Sequence, residues 1–335
     1  MIYAGREWEL HCRDAETHAR QDKTSGMSRF NRFIRMSTKN SWLRRAAMDG
    51  NQKFVKWLLE SERPADRDSA DFRGWTSLQL AAKYGQKNII EYLVNDKKAN
   101  INAEPPHIDG RTPIQTAAEE NKQDIVELLL SLGADINNLP AKINGRTALQ
   151  AAAEKANIET LKFLLGRKEL DPNVSGARVS GVTALLAGAG SGGEWQMGKN
   201  IHRTIKQRSR LPGSAEIDTQ KIAEEDQQDR NQRQKEENDH EEVVRLLIQT
   251  PGVNVQLIPN QFNWTALHAA VERESDQMVE YILSIPHVDC NVKGNHDGTP
   301  LHSAKAKANE DLATRLEQKG GTDLCPYSKL DLDAM

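Results

Sequence analysis

Two overlapping glycine strings are the nearest this sequence comes to a catalytic motif. Gly188, Gly190 and Gly193 fit the pattern Gly-x-Gly-x-x-Gly, which brings backbone close to a dinucleotide pyrophosphate when it follows a strand and opens a helix. Gly193, Gly198 and Lys199 have phosphate-loop spacing, but Asn200 stands where a hydroxyl is needed to hold magnesium. No apolar strand ending in Asp is recognisable to supply a second metal contact. The segment reads better as a flexible exit into a loop, and a nucleotide-binding enzyme built on residues 188–200 is the alternative.

His287, Cys290, His296 and His302 lie close together, yet they lack the paired C-x-x-C or H-x-x-x-H spacing of structural zinc sites. Lys199, Arg203, Lys206, Arg208 and Arg210 form a basic stretch with no acid between Trp195 and Ala215. Such runs serve as import signals or acidic-partner patches, and more often are solvated loops. No Gly-x-Ser-x-Gly elbow occurs. No catalytic, cofactor-binding or metal-binding residue is therefore assigned, and the chain is expected not to be an enzyme.

Composition narrows the partners. Lys plus Arg total 45 against 48 for Asp plus Glu, a net charge of −3, which gives no reason to expect nucleic acid or an anionic membrane. Cys12, Cys290 and Cys325 are odd in number and have no C-x-x-C spacing, so a reducing compartment, cytoplasm or nucleus, is the expected address. No window approaches the roughly 18 apolar residues of a membrane span.

The elements that must position any site come from a repeat. Ser41, Thr76, Thr112, Thr147, Thr183, Thr265 and Thr299 recur at intervals of 34 to 36 residues, except for 82 between Thr183 and Thr265. Each is followed by an apolar residue at plus two, Ala-rich positions at plus five and six, and aliphatics from plus thirteen to plus eighteen. A Gly or Asn before the anchor tolerates φ > 0 in a turn, and the hydroxyl suits the start of a helix. Small Ala side chains let a second helix approach, marked by Ile89-Ile90-x-x-Leu93-Val94, Ile125-Val126-x-x-Leu129-Leu130 and Met278-Val279-x-x-Ile282-Leu283. Two short antiparallel helices per copy result.

Gly110-Arg111-Thr112-Pro113-Ile114-Gln115-Thr116-Ala117-Ala118 and Gly298-Thr299-Pro300-Leu301-His302-Ser303-Ala304 resemble the ankyrin repeat, whose signature is Thr-Pro-Leu-His-x-Ala near a period of 33. The resemblance covers residues 40–325 and implies an all-α solenoid of about seven helix-turn-helix repeats with short projecting hairpin fingers. Gln79, Gln115 and Gln150 replace the family's His and are expected to weaken an inter-repeat hydrogen bond. Residues 1–39 read as a basic, mobile or partly helical lead and 326–335 as a tail. Polar substitutions at Arg44, Arg45, Arg315 and Glu317 read as caps of a complete array. A sensor or targeting fragment of a larger protein is the alternative to that completeness.

The long interval places a polar insertion, residues 191–238, between the two helices of the repeat opened by Thr183. It should emerge on the rim opposite the fingers. Residues 224–242 contain no apolar side chain, so this part is expected to be disordered, coiled-coil-like or a solvated helix. Asp239 and Glu242 form a capping box that would start the second helix afresh.

The resemblance implies a scaffold or adaptor that binds another protein along a concave face made by finger tips and the ends of first helices. In this chain those positions hold Phe72, Arg73, Trp75, Lys83 and Tyr84; Ile108, Asp109, Arg111, Glu119 and Glu120; Asn144, Arg146, Glu154 and Lys155; and Phe262, Trp264, Glu272 and Arg273. Aromatics and arginines dominate protein interfaces, although a Trp or Arg directly before the anchor also serves the family as structural filler. A monomer is expected, with no nucleic-acid, membrane or cofactor partner.

Overall fold

The computed structural model describes residues 28–324, apart from 63, 175, 180, 191–218, 256–263, 287 and 295–297. In chain order the helices are α1 (Ser28–Asp49), α2 (Gln52–Glu60), α3 (Ser77–Tyr84), α4 (Lys87–Glu91), α5 (Pro113–Glu119), α6 (Gln123–Ser131) and α7 (Ala148–Glu154). They continue with α8 (Ile158–Leu165), α9 (Ala184–Gly188), α10 (Thr219–Gln249), α11 (Ala266–Glu272), α12 (Asp276–Leu283), α13 (Pro300–Ala306) and α14 (Glu310–Gln318). Among the described residues there is no strand, only isolated pairings between loops. The chain divides into two compact units: residues up to 106 with 110–117 and 124–135, and residues 107–109, 118–123 and everything from 136 onward.

In the first unit α1 packs on α2 and α3, and α3 on α4. Leu43, Leu58, Ile89, Ile90 and Leu93 are fully buried, and Ala81 and Ala82 give α3 its flat side. Ser41, an anchor by period, is no cap: α1 starts at Ser28 and runs through it. The Thr76 hydroxyl does cap α3, accepting from the Gln79 N–H at 3.3 Å while Gln79 Oε1 accepts from the Thr76 N–H at 2.7 Å, a reciprocal capping box. After α4 the helix widens into a π turn over Tyr92–Asp96. The turn absorbs the extra residue of the 36-residue interval: the Ala99 N–H reaches Leu93 O, six residues back, where Ala134 reaches Leu129, five back.

In the second unit α7 packs on α8 and α9, α9 on α10 and α11, α11 on α12 and α13, and α13 on α14. Leu149, Leu161, Leu185, Val243, Leu247, Leu267, Val279 and Leu312 fill the interior. The insertion rejoins the fold through α10, a single helix of 31 residues whose last turns bury Val243, Val244 and Leu247. It runs straight through Asp239 and Glu242, so the box read there is not a helix start, and Glu242 instead accepts from Arg245 Nε at 2.8 Å.

Two features were not foreseen. Glutamine keeps the inter-repeat bond it was expected to weaken: Gln79 Nε2 donates to the Arg111 carbonyl, and Gln150 Nε2 donates to Val174 O at 2.8 Å, against 3.2 Å between His268 Nε2 and Gly298 O. The amide has a donor on one corner and an acceptor on the other, so one side chain both caps its helix and reaches the next finger. The second feature is an asparagine ladder. In the first unit Asn102 donates to Gly133 O and accepts from the Asp135 N–H, at 3.0 and 2.9 Å. In the second unit Asn137 bridges Glu169 and Asp171, Asn173 bridges Gly252 and Asn254, and Asn291 bridges Gly320 and Thr322 in the same way.

The glycines before the anchors work differently from the reading above at two places. Asp109 and Asn144 take the positive φ, at 51° and 54°, one residue earlier. Gly110 and Gly145 are needed for space instead, because a Cβ there would sit 2.3 Å from Pro106 O and from Ala141 N.

Candidate functional site

Among the described residues, the exposed aromatic side chains Phe72 and Tyr84 both belong to the first unit. Its finger turns at Asp71, whose Oδ1 accepts from the N–H groups of Arg73 and Trp75, both at 2.9 Å. The Asp71 N–H donates to Trp75 O at 3.0 Å and the Gly74 N–H to Asp71 O at 2.9 Å. Gly74 has φ +83°, and a Cβ on it would overlap the Pro106 ring at 1.9 Å. This backbone holds Phe72 outward at 92 % exposure, with the Arg73 guanidinium 5.3 Å from its ring centre. Trp75 is half-buried and lies under the Lys83 ammonium at 5.3 Å; Tyr84, ending α3, is 48 % exposed. Half-buried Arg111 bonds the Gly110 carbonyl at 3.2 Å.

In the second unit three finger tips join. Ile108 pairs with Ile143 and Ile143 with Val179, through bonds such as Ile143 N–H to His107 O at 2.9 Å and Val179 N–H to Lys142 O at 3.0 Å. Ile108, Asp109 and Asn144 stay exposed there. Glu120 and Lys155 are exposed as well, while Glu119 is half-buried and its carbonyl accepts from Asn157 Nδ2 at 2.8 Å. Arg146 is not on the surface where its position in the repeat suggested: only 6 % exposed, it bonds Glu154 Oε2 through Nε at 2.5 Å and the Gly145 carbonyl at 3.1 Å.

Trp264 is half-buried too. It stacks on His268 with ring centres 6.1 Å apart and lies over Gly294, where a Cβ would be 3.1 Å from its ring. Half-buried Arg273 turns inward: its Nη1 would be 2.1 Å from a Cβ on Gly190, and burial pulls its pKa down despite Glu237, Glu241 and Glu236 nearby. Glu272 is half-buried and meets Lys307 at 3.2 Å. Phe262 lies outside the described residues.

The same geometry accounts for the first glycines of the dinucleotide-like string. A Cβ on Gly188 would collide with Val243 Cγ1 at 2.6 Å, so this glycine lets α9 close on α10, and Gly190, at φ +92°, ends the helix under Arg273. Gly193, Gly198, Lys199 and Asn200 lie outside the described residues, as does the basic stretch. Of the histidine and cysteine group, His287 and His296 are also outside. Cys290 is buried with its thiol toward Lys319 O at 3.4 Å, and His302 pairs with Asp323 at 2.8 Å. No cluster of three metal-ligating side chains occurs among the described residues.

Sequence reasoning missed His240. Its Nδ1 bonds the Gly188 carbonyl at 2.8 Å; a carbonyl only accepts, so Nδ1 carries the proton. Burial, then the nearby Arg273 charge, push its pKa down from 6.5 to about 4, against the opposing pull of the Gly188 bond, Glu236 and Asp239. With Ser275 Oγ donating to Glu241 at 2.8 Å, this contact fastens α10 to the rest of its unit. The signal was present: His240 is three and seven residues before Val243 and Leu247, on the buried stripe of the helix.

No helix among the described residues is long and apolar enough to cross a membrane. No curated protein matches the chain. A family model described as ankyrin repeats matches residues 43–140, 103–176 and 235–325. With paired helices, threonine caps and fingers on the page, the chain belongs to the ankyrin-repeat family.

Proposed function

We propose that this protein is a non-enzymatic, monomeric binding module whose first-unit finger and adjoining helix end receive another protein. Ankyrin repeats are generally protein–protein interaction modules. The observation that carries the finer reading is Phe72: a large apolar side chain almost wholly in water, on a backbone already fixed by Asp71 and Gly74. A preformed tip loses little conformational freedom on association, which favours binding. Arg73, Trp75, Lys83, Tyr84 and Arg111 belong to this primary surface. Asp109, Glu119, Glu120 and Asn144 form a secondary one on the second unit, and Arg146, Trp264 and Arg273 act as supports of the fold.

The glycine-rich segment favours no nucleotide reading, because Gly188 and Gly190 are packed under Val243 and Arg273. The test is affinity capture from cell extract with the full chain and with Phe72→Ala/Arg73→Glu. Proteins that bind the first and not the second are the expected result; an unchanged captured set would remove the site.

A further inference from the structure

We propose that the inner end of α10, His240–Gln249, is a detachable element of the second unit, which leaves the stack as one helix before α8 or α12 opens. It concerns how the array opens and is independent of what the first-unit finger binds. The connection ahead of the helix decides it. α7 and α8 are joined by three residues, 155–157, and α11 and α12 by three, 273–275, whereas 30 residues, 189–218, separate Gly188 at the end of α9 from Thr219 at the start of α10. The chance that a tethered helix returns to its slot falls as roughly the 3/2 power of the connecting length, so a tenfold longer connection weakens docking about thirtyfold. Burial does not offset this. α10 buries Val243, Val244 and Leu247, against Leu161 and Leu164 on α8 and four apolar side chains, Met278, Val279, Ile282 and Leu283, on α12.

Three consecutive side chains fasten the end to its neighbours. His240 Nδ1 donates to Gly188 O at 2.8 Å, Glu241 accepts from Ser275 Oγ at 2.8 Å, and Glu242 lies 4.0 Å from Lys162. They reach the end of α9, the start of α12 and the middle of α8, the helices on which α10 packs. Outward of them the described side chains from Gln227 to Glu236 are exposed. Those turns are braced within the helix, by Gln227 Nε2 to Asn231 Oδ1 at 2.9 Å and Gln234 Nε2 to Asn238 Oδ1 at 3.1 Å. The far end is tethered instead: Asn173 donates to Gly252 O and accepts from the Asn254 N–H, both at 2.7 Å. Gly252, at φ +87° with nothing within 4 Å of where a Cβ would sit, is the hinge. Released, α10 leaves the five-residue α9 without its second helix, and coupling between the repeats on either side falls. A partner that grips the exposed turns thereby acts on the stack from a distance.

The test is native-state hydrogen exchange of the full chain, read by mass spectrometry on peptides covering 243–249, 160–165 and 279–283. The expected result is one shared opening constant across 243–249, about thirtyfold above those of the other two segments. Equal constants in all three would overturn the proposal. So would a graded rise along 243–249, which is fraying and not release of a whole helix. His240→Ala should raise the constant of 243–249 about tenfold and leave that of 279–283 within about twofold. An equal rise in both segments would mean that the helices open together, against the proposal. Deletion of residues 191–237 restores the anchor spacing of the other copies and should bring the constant of 243–249 down to that of 279–283; a constant that stays high would remove the connection as the cause. If the deletion variant does not fold, wild type and His240→Ala decide between the outcomes without it.

Discussion

The same place in the repeat is built two ways in this molecule. In the repeat opened by Thr147 an arginine before the anchor turns inward and pairs with a carboxylate of its own repeat, Arg146 with Glu154. In the repeat opened by Thr76 the place holds Trp75, with Lys83 over its ring, and the finger beside it holds Phe72 in water. One arrangement is an ion pair within the fold; the other sets an aromatic face against a cation beside an exposed finger tip. Position in a repeat therefore does not decide whether a side chain turns inward; the neighbours it meets, such as the residue eight positions later, bear on that.

The comparison breaks most severely at His240, a buried polar side chain of the second unit. His240→Ala removes the bond to Gly188 and leaves a cavity, so a loss of roughly 2–4 kcal/mol is expected. Denaturant unfolding followed by helix signal measures it. The pH dependence has a definite sign. The folded pKa, about 4, lies below the ordinary 6.5, so the unfolded chain binds the proton first. The stabilisation is complete above about pH 6.5 and is lost as pH falls toward 4, by at most about 3 kcal/mol. His240→Gln should flatten that window, and an unchanged slope between pH 6.5 and 4 would assign the acid sensitivity elsewhere.

Smaller effects sharpen the contrast. Arg146→Met leaves Glu154 without its cation in a largely buried setting, and about 1–3 kcal/mol of destabilisation should follow. Asn173→Ala removes two bonds to the following loop, at 2.7 Å each, for about 1–2 kcal/mol in thermal or denaturant unfolding. A loss below about 0.5 kcal/mol would mean that water replaces the ladder.

The fold was legible because the period of about 35 residues and the threonine caps are written in consecutive residues. Helix pairs depend on spacings of three and four, which a single segment reveals. The ladder was harder to see: Asn102, Asn137, Asn173 and Asn291 recur 25 or 26 residues after an anchor, but their role exists only between stacked loops. The site was half legible. Position in the repeat pointed to Phe72 and Arg73, which are exposed, and equally to Arg146 and Arg273, which turn inward, because the sequence shows where a side chain starts and not which neighbour it meets. Ser41 misled for a similar reason, since a periodic hydroxyl caps a helix only if the helix begins there.

The smallest expected changes in stability come from the first unit, and one of them should be a gain. Ser77 is fully buried, and its hydroxyl has no hydrogen-bond partner, while the five later copies put Pro113, Ala148, Ala184, Ala266 or Pro300 after the anchor. Ser77→Ala removes an unsatisfied polar atom from the first turn of α3 without opening a large cavity. Stability should rise by about 0.5–1 kcal/mol. Phe72→Ala should change it by less than about 0.5 kcal/mol, because the side chain gives up almost no contact. If Phe72→Ala instead lowered the unfolding midpoint by the amount expected of Arg146→Met, the finger tip and the Arg146 pair would both be serving the fold alone. The difference between them would then be one of residue choice and not of purpose.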